Sequence, residues 1–92
     1  MELYREVSVW ERMETGGLAH YRCLELLQGG GFCVQSVDFY QPNDNIAERG
    51  LQFSRQFIEL LSEEAAETRT HALPSLKEAI EAHKREFGEA QA

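Results

Sequence analysis

Apolar and polar residues alternate through the first forty positions, and from there the apolar ones return every three or four residues. Strand side chains point to opposite faces in turn, so the first pattern predicts strands; the second is the spacing of one helix face. Residues 3–12, LYREVSVWER, are rich in β-branched and aromatic types and form the first predicted strand. METGG is a turn, residues 18–27 are the second strand and residues 32–40 the third. Gly29, Gly30 and Gly31 supply the positive φ angles needed by a tight connection between the last two strands.

QPNDN breaks the alternation with a proline and turn formers. Asp44 or Asn45 can accept the orphan N–H groups of a helix that runs to about residue 65. Its apolar positions are Ile46, Phe53, Phe57, Leu60 and Leu61, with Leu51 and Ile58 beside them. Gly50 falls on the same face, so either it permits close approach to the sheet or the helix begins after it. TRTHALP is a connector, with a short fourth strand near 68–73 as the alternative. Ser75 caps a second helix, and Glu78 three residues later completes a capping box. Leu76, Ala79, Ile80, His83 and Phe87 form its apolar stripe and Gly88 closes it.

The predicted fold is therefore one small α+β domain over residues 1–92, in the order βββαα. A three-stranded antiparallel meander (1–41) precedes helix one (44–65) and helix two (75–87), both packed on one face of the sheet. The order does not fit double-stranded RNA modules, which begin with a helix.

A register can be chosen by asking which pairing gives coherent faces. If paired numbers sum to 30 across strands one and two and to 60 across two and three, one face carries Leu3–Leu27–Cys33, Val7–Cys23–Val37 and Val9–Tyr21–Phe39. Arg5, Glu25 and Gln35 form a polar row among them, and the helices are expected to cover this face. The opposite face carries Tyr4–Leu26–Val34 and Trp10–His20–Tyr40 at its ends, with Ser8–Arg22–Asp38 and Glu6–Leu24–Ser36 between. So much apolar and aromatic surface on an open sheet marks an interaction site. The expected partner-binding residues are Tyr4, Trp10, His20, Arg22, Leu24 and Tyr40, and the simplest partner is a second copy across a two-fold axis.

Composition narrows the classes. With 42% apolar and 27% charged residues the chain is globular rather than disordered. A domain of 92 residues buries only about 60–65% of its unfolded surface, a thin core that gains from a partner subunit. A net charge of −7, with lysines and arginines scattered, repels phosphate backbones and argues against nucleic acid. MELYREV has no signal-peptide apolar region, and no apolar run is long enough to span a membrane. A reduced, cytoplasmic protein is expected, with Cys23 and Cys33 as small core hydrophobes that cannot form a disulfide from offset rows.

No constellation carries chemistry. Ser8, His20 and Asp38 share a face and have the residue types of a nucleophile, a base and an orienting acid. Arg22 between them would hold Asp38 in an ion pair, and no oxyanion hole is evident, so a polar network is the reading. His20, His71 and His83 lack metal-ligand spacing, and QGGG joins two strands rather than opening a helix onto a phosphate. Neither catalytic residues nor a metal nor a cofactor is expected. Glu59, Glu63, Glu64 and Glu67 make a solvated acidic helix end. The functional expectation is a non-enzymatic, self-associating protein-interaction or regulatory module. Two alternatives stand beside it: a small-molecule-binding protein or enzyme subunit with a pocket between helix one and the sheet, and an acidic inhibitor or immunity-type protein that blocks a basic target.

Overall fold

The structure is a computed structural model that describes residues 2–66 and 71–87. Three antiparallel strands, β1 (Tyr4–Arg12), β2 (Leu18–Leu26) and β3 (Phe32–Tyr40), form one open sheet in the order β1-β2-β3. Two helices follow, α1 (Ile46–Glu63) and α2 (Leu76–Phe87). The α+β class and the βββαα order are those the hydrophobic pattern predicts.

Local chemistry sets the boundaries. Gly29, Gly30 and Gly31 all have positive φ, and Leu26 N–H donates to the Gly31 carbonyl to close the β2–β3 loop. Asn45 caps α1, its Oδ1 accepting from Glu48 N–H at 3.2 Å. Ser75 caps α2: its Oγ accepts from Glu78 N–H at 3.1 Å and donates to the Glu78 carboxylate at 3.0 Å. Gly50 lies inside α1, where an added Cβ would stand 3.7 Å from Tyr40 Oη, an ordinary contact distance. The tight approach is instead at Gly17, whose Cβ would come within 2.7 Å of the Tyr40 carbonyl oxygen. A short strand near 68–73 falls partly outside the described residues; Leu73 makes a single antiparallel bridge to Phe32, with both N–H···O distances 2.8 Å.

The pairing of β1 with β2 follows the predicted sum of 30 from Tyr4↔Leu26 to Arg12↔Leu18. The pairing of β2 with β3 does not follow the predicted sum of 60. Its outer half is shifted by two, with Leu18↔Tyr40, His20↔Asp38 and Arg22↔Ser36, which preserves every face. A β-bulge then inserts Gln35 between Ser36, opposite Arg22, and Val34, opposite Cys23. The extra residue turns the start of β3 over. Val34 joins Tyr21 and Cys23 on the odd-numbered face of β2, and Cys33 joins Leu24 and Leu26 on the even-numbered face. Cys23 and Cys33 are both buried and are not joined in a disulfide; they lie on opposite faces, not on the same one as expected. Burial, with Cys33 adding to it, pushes the Cys23 thiol up to about 12.

The helices also divide between the faces, which corrects the expectation that one face holds both. Leu76, Ala79 and Ile80 of α2 pack on Val7, Val9, Tyr21, Cys23 and Val34. Phe57 and Leu61 of α1, with Ala66, pack on Leu24, Leu26, Cys33 and Tyr4. The bridge from Leu73 to Phe32 places Leu73 at the outer edge of β3 just before α2 begins on the opposite side. A meander that is apolar on both sides thus obtains a helix for each side. The apolar stripe predicted for helix one is broader than its contact: Phe57 is buried, whereas Ile46, Leu51 and Ile58 are exposed.

Candidate functional site

The face expected to meet a partner is largely sheltered by α1. Tyr40 is buried, its ring edge-on to Phe53 with centroids 5.8 Å apart. Leu24 is buried in the α1 cluster, and the Arg22 guanidinium sits 5.9 Å from the centre of the Phe57 ring. His20 is buried as well. Of the six predicted partner-binding residues, His20, Arg22, Leu24 and Tyr40 therefore stand as interior groups. Tyr4 is half-buried at the edge of the α1 cluster, and Trp10 is 53% exposed. The pocket expected between helix one and the sheet is occupied at this level by Phe53 and Phe57, which rest on Tyr40 and Arg22.

A polar line runs under the rim. Arg22 Nε donates to Asp38 Oδ2 at 2.6 Å, both groups buried, so the ion pair predicted from the sequence forms. It is diagonal rather than directly cross-strand, because Asp38 stands opposite His20. Ser8 Oγ and His20 Nε2 are hydrogen-bonded at 3.0 Å, and the Trp10 ring stacks on the imidazole with centroids 4.0 Å apart and planes 5° from parallel. His20 Nδ1 is 3.9 Å from Asp38 Oδ2, beyond hydrogen-bond reach. Burial, reinforced by the Arg22 charge, holds the imidazole below its ordinary value of 6.5 against the opposing pull of Asp38 and Glu6. A neutral histidine under an indole, with its carboxylate already committed to an arginine, fastens β1 to β2. It lacks the oriented base of a nucleophilic triad.

The edge of β1 is a different matter. Leu27 N–H donates to the Leu3 carbonyl and Met13 N–H to the Gly17 carbonyl. These two bonds bracket the ladder, so odd-numbered residues of β1 turn their N–H and C=O groups to β2. Glu6, Ser8 and Trp10 turn theirs outward, and among the described residues no strand pairs with them. Side chains on this strand are only partly covered: Val7 and Val9 are half-buried and Trp10 is exposed. The other edge is blunted. Phe32 of β3 is bonded to Leu73, and Arg49 Nη2 donates to the Phe39 carbonyl at 3.1 Å. No known protein family, curated protein or solved structure matches this chain.

Sequence reasoning placed Trp10 and Tyr4 on the open face of the sheet and did not consider the backbone of β1, whose outward groups lie at the edge. The signal was present in the METGG turn. A five-residue connection closed by Met13 and Gly17 decides which residues of β1 face inward. Glu11 was also missed. It accepts from Lys84 Nζ at 2.9 Å and from the Tyr21 hydroxyl at 3.1 Å, and these bonds, Lys84 foremost, pull its carboxyl below the ordinary 4.5 despite partial burial. Among the described residues no three His, Cys, Asp or Glu side chains converge as metal ligands, and no helix is long and apolar enough to cross a membrane.

Proposed function

We propose that the protein is a non-enzymatic interaction module that works as a self-associated pair, with the rim at β1 and its exposed Trp10 as the contact surface. The observation that supports this is a nine-residue edge strand with outward N–H and C=O groups, no proline, no lysine and no bulge, covered only in part by either helix. The thin core of a chain this size gains most from such a contact. A second copy is favoured over a basic target because β1 itself is electrically balanced, two arginines against two glutamates, while the acidic excess lies elsewhere.

Size-exclusion chromatography with light scattering tests the reading. Wild type is expected at twice the chain mass at micromolar concentration. Trp10→Glu, which removes an exposed aromatic of the type that dominates interfaces and adds a charge, is expected to weaken association by roughly tenfold or more. Monomeric wild type across the concentration range would end the proposal.

A further inference from the structure

We infer that β1 is the seam of a two-fold dimer in which Ser8 of one copy lies opposite Ser8 of the other, joining two three-stranded sheets into one of six strands. This rests on the self-association reading and gives it a register. Two copies related by an axis perpendicular to the sheet keep the same face up, so each residue must meet one of the same parity. The candidates are axes at Val7, Ser8 and Val9.

Only the axis at Ser8 lays the strand on its full length, from Tyr4 opposite Arg12 to Arg12 opposite Tyr4. An axis one residue either way leaves two residues of the strand unpaired in each copy. The same axis is the one that matches side chains on the α2 face. On the α2 face it sets Val7 against Val9 of the second copy, so the two half-buried valines cover each other. It also sets Arg5 against Glu11. Arg5 is already ion-paired with Glu25 of its own chain, and Glu11 with Lys84. The row across the seam therefore alternates in sign: Glu25, Arg5, then Glu11 and Lys84 of the second copy. With the axis at Val7, Arg5 meets Val9; with the axis at Val9, Val7 meets Glu11. Each of those sets a charge against an apolar group on the α2 face, where the Ser8 axis sets none; on the α1 face the Ser8 axis places Glu6 opposite Trp10. On the α1 face Tyr4 meets Arg12, a ring and a guanidinium. Residues Glu6, Ser8 and Trp10, whose N–H and C=O groups point outward, become the hydrogen-bonded pairs of the new ladder.

Disulfide trapping reads the register directly. A hydrogen-bonded antiparallel pair holds its Cα atoms about 5.5 Å apart, inside the span of a disulfide. The native thiols are buried, so single Ser8→Cys, Val7→Cys and Val9→Cys variants of the full chain report their own position. Under mild oxidation Ser8→Cys is expected to run as a covalent dimer on a non-reducing gel, and the other two as monomers. Trapping through Val7→Cys or Val9→Cys instead would overturn the register. Wild type that is dimeric by light scattering while none of the three variants traps would place the contact elsewhere, leaving self-association intact but this inference wrong. Ser8→Pro gives a second readout. It removes an outward N–H that β2 does not use; because it also removes the Ser8 Oγ bond to His20, Ser8→Ala is its control, and both variants are expected to keep a cooperative circular dichroism melt while the mass falls to that of one chain in Ser8→Pro alone. A Ser8→Pro protein that remains dimeric would overturn the inference.

Discussion

Two buried residues of opposite charge set the polarity of the layer under α1. Arg22 and Asp38 are both in the interior, and each is the other's counter-charge. Removing one partner leaves a buried charge uncompensated. Arg22→Met is therefore expected to destabilise by about 3–5 kcal/mol in urea unfolding, whereas Arg22→Met with Asp38→Leu recovers most of that loss. His20, one pair along, makes stability depend on pH. Its imidazole titrates lower in the fold than in the unfolded chain, so the unfolded state takes up the proton first as pH falls. Stability from this residue is complete above about 6.5 and declines below it, down to the lowered folded value. The melting temperature is expected to drop between pH 7.5 and 5.5 in wild type, and that part of the drop to vanish in His20→Asn. The lowered carboxyl of Glu11 acts in a separate window, its contribution being lost only as pH falls below the ordinary 4.5.

At the scale of elements, the strands and helices were legible because each obeys a local rule. The alternation marks β1 to β3, the triple glycine marks the loop, and Asn45 and Ser75 with Glu78 mark the helix starts. The bulge at Gln35 was not legible. One residue too many in a run that still alternates locally looks like ordinary strand, and only pairing with β2 reveals it. This single residue explains why Cys33 and Val34 exchange the faces predicted for them. It also carries an expectation. With Gln35 deleted, Ser36 and Val34 become neighbours and every other side chain keeps its present face and partner. Deleting Val37 also closes the bulge, but it sets Ser36 in the place of Val37 opposite Tyr21 and Gln35 opposite Arg22, so a polar side chain replaces an apolar one against the α2 cluster. The Gln35 deletion is expected to give a folded protein with a cooperative melt near that of wild type, and the Val37 deletion a folded protein with a lower melting temperature; thermal circular dichroism checks both.

For the molecule as a whole, the difference between expectation and structure lies in one choice that pattern cannot make. The sequence carries apolar rows on both faces of the meander and two amphipathic helices, and it does not say whether the helices share a face or take one each. Leu73, just ahead of α2, is bonded to Phe32 at the edge of β3, between the two faces that the helices cover. A face that would have been open is sheltered by α1, and exposure moves from the middle of the sheet to the rim at β1. The candidate site was legible to the same extent. Of the residues expected on an open face, Trp10 is exposed and Tyr4 half-buried on the edge strand, while His20, Arg22, Leu24 and Tyr40 are buried.

The same wrapped edge has a consequence for stoichiometry. A sheet able to recruit neighbours on both sides grows without limit, as fibrils do. Here Leu73 and Arg49 occupy backbone positions of Phe32 and Phe39 along one margin, so the proposed pairing has β1 as its favoured direction. On the proposed seam, assembly is expected to stop at two chains.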